Sequence, residues 1–304
     1  MLVAITEYES YNSSLLEQIF EELSKSHDGS DIYVLIVPSI SSSTLTVSSL
    51  LDQLQNIYDT SFNMKKQGKL KQKITMLLYN ENYDASLASK LWSAMSYTPT
   101  VELDKVPTPY KFHIDTFTPI EITETGLGME KHCSYRLHNS DALFNSIPVV
   151  AVGGTFDHLH DGHKILLSIS AFLTQETLII GITGPELLKN KKYGHYMESF
   201  ETRSNKVTEF VKTIRSNLIP KIYEINDVCG PTAEVEDINA LVVSMETMKG
   251  SEFINNVRKE KGWKPLDVYS IGVLGSADSE TFKDKLSSTD YRRMEYLREH
   301  TDDQ

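Results

Sequence analysis

Apolar residues in this chain fall into two rhythms. Some stand in short unbroken runs, and others recur every three or four positions over longer stretches. The first rhythm predicts buried strands and the second amphipathic helices. In the first half, Asp31-Ile32-Tyr33-Val34-Leu35-Ile36-Val37 reads as a strand stopped by Pro38, and residues 73–79 read as another. Helical spacing covers residues 13–24 and 47–58. A further helix is expected over residues 84–95, with Asp84 as its cap. Pro99, Pro107, Pro109 and Pro119, followed by Gly126 and Gly128, discourage helix in the next stretch. Residues 111–117 are expected there as a short edge strand.

The second half alternates more regularly. Strands are expected at 149–152, 177–183, 221–225, 240–244 and 267–273, and helices at 163–173, 200–216, 252–260 and 289–300. This alternation predicts an α/β fold with a doubly wound parallel sheet, preceded by a smaller N-terminal α/β domain. The junction is placed within residues 98–145, giving an N-terminal domain of 1–130 and a C-terminal domain of 146–304. No internal repeat of fixed period and no long low-complexity segment is legible.

The chain has 304 residues and a formal charge of −12. That acidity makes nucleic acid a poor partner, because phosphodiester backbones are repelled. A local pocket can still accept a small anion. The two cysteines, Cys133 and Cys229, form no Cys-x-x-Cys and predict no disulfide framework. No basic leader and no apolar run long enough for a bilayer is seen. The expectation is a cytoplasmic protein without membrane association, the nucleus being compatible as well.

One segment carries chemistry: Gly153-Gly154-Thr155-Phe156-Asp157-His158-Leu159-His160-Asp161-Gly162-His163. It joins the apolar run 148–152 to the amphipathic run 164–173, so it reads as strand, glycine turn, histidine pair and helix. His160 and His163, three apart at a helix start, share one face. Gly162 lets a ligand approach the backbone. Imidazole donors at a positive helix end suit an oxygen-rich anion and predict a cationic cradle for phosphate. Two plainer readings stand beside it. A His-x-x-His pair can hold metal, although His-Glu-x-x-His and a nearby cysteine are lacking. The histidines can also cluster by chance on a solvated turn. Ser41-Ser42-Ser43-Thr44 is read as a solvated turn rather than a phosphate nest.

The same segment resembles the signature of the HxGH nucleotidyltransferase superfamily. Its Gly-Gly-Thr-Phe-Asp-x-Leu-His-x-Gly-His form looks like the eukaryotic and archaeal phosphopantetheine adenylyltransferases. Cytidylyltransferases share much of it but usually carry Arg-Thr-Glu-Gly-Ile-Ser-Thr near the end, which is not found here. Further similarities follow in order: Gly181-Ile182-Thr183 then Lys189, Val243-Ser244 then Glu246-Thr247, and Lys285-Leu286-Ser287-Ser288-Thr289 with Arg292. Met245 stands where arginine is common, and Asp290 where a small hydroxyl residue is frequent.

The resemblance covers residues 147–293 and implies a Rossmann-like nucleotidyltransferase. The implied reaction transfers AMP from ATP to 4′-phosphopantetheine, giving dephospho-coenzyme A and pyrophosphate in coenzyme A biosynthesis. His160, His163 and Lys189 are the implied catalytic residues. Gly153, Gly154, Thr155, Phe156, Gly162, Ser287, Ser288, Thr289 and Arg292 are the implied substrate and ATP contacts. Asp157 is expected to order the turn. Mg²⁺ is expected to ride on ATP phosphates, with no metal-ligating set in the protein. No P-loop occurs, so no fused kinase is expected. Two alternatives are carried forward. One is a cytidylyltransferase or another HxGH nucleotidyltransferase. The other is a non-catalytic nucleotide-binding scaffold, with residues 1–130 assembling other coenzyme A enzymes.

Overall fold

The computed structural model describes residues 2–6, 13–26, 31–37, 46–78, 94–97, 116–119, 141–271 and 287–301. The chain divides into two compact units. One contains Met1–Ser134 with Lys212–Asn217, and the other Tyr135–Val211 with Leu218–Gln304.

The first unit runs β1 (Leu2–Thr6), α1 (Ser13–Ser26), β2 (Ile32–Val37), α2 (Val47–Lys66), β3 (Ile74–Leu77), β4 (Ala94–Tyr97) and β5 (Thr116–Pro119). Its strands are all parallel, in the order β3-β2-β1-β4-β5. α1 buries Leu16, Ile19, Phe20 and Leu23, the i, i+3, i+4, i+7 stripe of a helix with one wet face. α2 starts on a capping box in which Thr46 and Ser49 each accept the other's backbone N–H. The helix expected over 84–95 is corrected at its end. Ala94 and Met95 belong to β4, and residues 84–93 lie outside the described set. Ser41 to Thr44 also lie outside it.

The second unit runs β6 (Ile147–Gly154), α3 (Asp161–Leu173), β7 (Thr174–Thr183), α4 (Pro185–Leu188), α5 (Phe200–Ile214), β8 (Lys221–Ile225), β9 (Ala240–Ser244), α6 (Met248–Glu260), β10 (Asp267–Ile271) and α7 (Ser288–Thr301). Its sheet is parallel throughout, in the order β10-β9-β6-β7-β8. This is the doubly wound α/β arrangement the alternation implies. Strand order reverses between β6 and β9, and ligands in such sheets sit beyond the strand ends at that switch. β6 buries Val150, Ala151 and Val152 and emerges at Gly153. Among the described residues no helix is long and apolar enough to cross a membrane.

Both sheets share one topology. Numbered within its own unit, each has the strand order 3-2-1-4-5. In each, six residues separate the first strand from the first helix: Glu7–Asn12 in one, Thr155–His160 in the other. Counted from the helix start, Leu15 stands where the second unit has His163. The sequence shows no repeat because right-handed crossovers and a parallel core constrain topology, while tolerating wide substitution.

Arg258 fixes the loops around β9 and β10. It is fully buried, and its guanidinium donates to the carbonyls of Thr232, Val235, Glu236, Ile238 and Lys264 at 2.8–3.2 Å. Trp263 covers it at 5.2 Å. Arg258→Ala is expected to cost about 3 kcal/mol or more, because several carbonyls lose their donor at once. Urea unfolding measures this, and a loss under about 1 kcal/mol would mean that water replaces the arginine.

Candidate functional site

The histidine pair sits where β6 hands over to α3. His160 occupies the N-cap position of α3, but its side chain makes no capping bond. The first-turn amides are therefore left for solvent or a ligand. His160 and His163 stack at 3.8 Å between ring centroids, inclined by 22°. Both rings are partly exposed, and Phe156 backs His163 at 5.3 Å.

Burial holds both imidazoles neutral. Desolvation pushes His160 down to about 4 from an ordinary value of 6.5, against the opposing pull of Asp161. His163 is lowered well below that ordinary value by burial and by His160 itself. The cationic cradle expected from the sequence is thus corrected. What the pair and the helix N-terminus offer is neutral ring donors and backbone amides, because burial disfavours the charged form of both rings.

The turn before the pair is tightly held. Phe156 and His158 are left-handed, with φ of 51° and 48°. Phe156 is fully buried, and a Cβ on Gly154 would come within 3.1 Å of its ring. Asp157 is fully buried and ion-paired to Arg292, which is itself 2% exposed. The other carboxylate oxygen of Asp157 accepts the Glu198 N–H at 2.9 Å. His158 donates its backbone N–H to Glu198 at 2.9 Å and stacks against Tyr291 at 5.9 Å. Its ring nitrogens lie 3.1 Å from Asp157 and 3.1 Å from Glu295. The Asp157 contact lacks hydrogen-bond alignment.

The C-terminal serine segment joins this turn. Ser287 caps α7 in a reciprocal box with Asp290, whose pKa is lowered by those bonds. Ser288 donates its hydroxyl to the Asp157 carbonyl at 2.9 Å, across 131 residues of sequence. Thr289 accepts from Arg292 at 3.0 Å. All three hydroxyls thus have protein partners. Asp290 serves as a cap. Arg292, expected as a cation for phosphate, is committed to Asp157, Thr289 and the Lys192 carbonyl. Its buried place makes it the anchor of α7.

Lys189 stands on an exposed turn and pairs with Glu186. Gly153, Thr155 and Gly162 lie along the β6–α3 junction. Met245 is exposed, and its Sδ accepts from Ser270 at 2.9 Å. Thr247 bonds back to Ser244 and does not cap α6 with its side chain. Asp157, His158 and Glu198 offer ligand atoms within 4.8 Å of one another. Arg292 and Lys206 already neutralise the two carboxylates, so the trio is an ion-pair web.

Two residues of this web were not legible beforehand, Glu198 and Arg203. Ser199 caps α5 by accepting the Thr202 N–H at 3.1 Å, which sets Arg203 in the first turn. Arg203 is 2% exposed and donates to the carbonyls of Thr155, Thr183 and Glu198. The only signal was a charged residue on the apolar stripe of α5.

Arg292→Ala is expected to cost about 3–5 kcal/mol, since it strands the Asp157 carboxylate in the interior; a change below about 1 kcal/mol in urea unfolding would contradict the buried pairing. The histidines give a pH test. The unfolded chain binds more protons than the folded one between pH 6.5 and about 4, so stability should fall as pH drops through that window. His160→Asn with His163→Asn should flatten that fall, and an unchanged acid limb in chemical denaturation would refute the assignment.

The cytidylyltransferase-like family profile matches residues 151–294. A phosphopantetheine adenylyltransferase of Saccharomyces cerevisiae is 49% identical over 150 residues; the match covers 49% of this chain and 49% of the yeast protein, about half of each. A phosphopantetheine adenylyltransferase of Pyrococcus horikoshii is 39% identical over 127 residues, covering 42% of this chain and 79% of the archaeal protein. An uncharacterized protein of Schizosaccharomyces pombe is 29% identical over 292 residues, 92% of this chain and 90% of the relative, so that match reaches both units. The chain is a nucleotidyltransferase and belongs to the phosphopantetheine adenylyltransferase family.

Proposed function

We propose that this enzyme transfers AMP from ATP to 4′-phosphopantetheine. The observation that supports it best is the stacked His160–His163 pair at the uncapped start of α3, beyond the central strand of the sheet. In this reading a 4′-phosphate oxygen attacks the α-phosphorus of ATP. The new P–O bond forms as the bond to the bridging oxygen breaks, and pyrophosphate leaves. No covalent enzyme intermediate is needed.

The difficulty of the reaction is that two polyanions must meet. The proposed site answers with aligned donors rather than with net charge. Each neutral imidazole has one N–H to give, and the α3 amides add theirs. Each ring N–H can be aimed at a phosphate oxygen without the ring taking up a proton. The amides at the start of α7 are proposed to take the β- and γ-phosphates. Lys189 is proposed to leave Glu186 for the acceptor and α-phosphates. An exposed ion pair is worth about 0–1 kcal/mol, so that exchange is cheap.

Mg²⁺ is proposed to accompany ATP. The Asp157, His158 and Glu198 group does not fit as its cage, since both carboxylates are already paired. The ion would be carried on triphosphate oxygens and would neutralise part of the leaving group.

The direct test is pyrophosphate release and dephospho-coenzyme A formation by the purified chain from ATP and 4′-phosphopantetheine. Preference for CTP, or for another phosphorylated acceptor, would favour the cytidylyltransferase alternative. No turnover with any pair would favour a binding scaffold. His163→Ala should lower kcat by about 10²–10³ with the fold retained, and wild-type kcat in that variant would overturn the proposed role.

A further inference from the structure

The glycine–histidine turn is shaped from beneath by a residue outside every motif described above. Arg203 spreads one guanidinium over three carbonyls: Thr155 at 2.8 Å, Thr183 at 3.0 Å and Glu198 at 3.1 Å. These belong to three segments, the turn after β6, the end of β7 and the approach to α5. Arg203 is 2% exposed, so it lies below the site and not in it.

We propose that Arg203 is a positioning residue for phosphoryl chemistry at this turn, an inference that rests on the function proposed above. The peptide between Thr155 and Phe156 is trans and planar. Its carbonyl and its N–H therefore point in opposite directions. Clamping the Thr155 carbonyl onto Arg203 turns the Phe156 N–H away from the guanidinium. The next link is Glu198. Its carbonyl is held by Arg203, while its own N–H holds the Asp157 carboxylate and its side chain accepts the His158 N–H. One planar cation thus sets the amides on both sides of Asp157. Phe156 and His158 need such a clamp, because left-handed backbone at bulky residues persists only when neighbours over-determine it.

Lysine cannot replace this fork. Its ammonium is a point donor and does not span three carbonyls from separate segments. A misplacement of about 1 Å in a phosphate-aligning site costs about 10²-fold in rate. Arg203→Lys is therefore expected to lower kcat by about 10–100-fold while the KM for ATP changes less.

The experiment compares Arg203→Lys and Arg203→Ala with Arg258→Ala, each at a temperature where it is folded. Arg258 is the matched control, a buried arginine that also grips carbonyls but serves other loops. Expected results are a kcat loss in the Arg203 variants only, and partial recovery of Arg203→Ala by millimolar guanidinium. Amide hydrogen exchange at Phe156 and His158 should also quicken in the Arg203 variants by about tenfold or more. Wild-type kcat and exchange in Arg203→Lys would overturn the proposal. So would a kcat loss in Arg258→Ala equal to that in Arg203→Ala. If Arg203→Ala fails to fold, Arg203→Lys decides. Exchange needs no turnover, so a wild-type chain inactive with 4′-phosphopantetheine would count against the proposed reaction and leave the clamp to be judged by exchange.

Discussion

Left-handed backbone at Phe156 and His158 is the constraint on which the second unit depends. Each such residue costs about 1–2 kcal/mol relative to ordinary backbone. The turn survives because Asp157, between them, is held at both carboxylate oxygens and at its carbonyl. Arg292 and the Glu198 N–H take its carboxylate, and Ser288 takes its carbonyl. The partners come from two distant parts of the chain, Glu198 before α5 and Ser288 with Arg292 on α7, so the turn is also where the unit is tied together. α7 reaches the site through that ion pair. Without it, a helix start 131 residues away in sequence would have no reason to stand beside the histidines.

This arrangement explains how an acidic chain makes a site for anions. The net charge is −12, and two carboxylates, Asp161 and Asp157, act electrostatically on His160. For the function proposed above, attraction by bulk charge would therefore not be what recruits phosphate. The site depends on oriented dipoles: helix amides, and ring N–H groups kept neutral by burial. Such donors cost no reorganisation when charge develops on a phosphorus, which is where electrostatic preorganisation has most effect. The buried cations of the second unit are used otherwise. Arg203, Arg258 and Arg292 all hold backbone or a buried carboxylate, and they spend their charge on shape.

The first unit repeats the topology of the second without its histidines. Leu15 occupies the position that His163 has in the second unit, counted from the helix start, so the first helix of the first unit carries no matching histidine pair. The match to the fission-yeast relative extends across both units, whereas the archaeal match covers less than half of this chain. Among the described residues, the stacked histidine pair stands in one copy of a sheet order that the chain uses twice.

Local chemistry was legible from the sequence. Period and composition located β2 and β6 to β10 and most helices of the second unit, since each buries a stripe its own residues define. The strand–turn–helix segment announced His160 and His163 because glycine, a helix start and paired imidazoles lie within a few residues. The short strand β4 was missed because four residues carry too little periodicity to outweigh a neighbouring helical pattern. What the sequence could not determine was anything that depends on distant segments meeting. Protonation of the histidines follows from how deeply neighbours bury them. The role of Arg292 follows from Asp157, which lies 135 residues away. Arg203 gave no local sign, because a buried guanidinium takes its meaning from three carbonyls that only the folded chain brings together. The repeated sheet order was hidden for a related reason: topology is set by how crossovers pack on a parallel core, and many sequences satisfy that packing equally well.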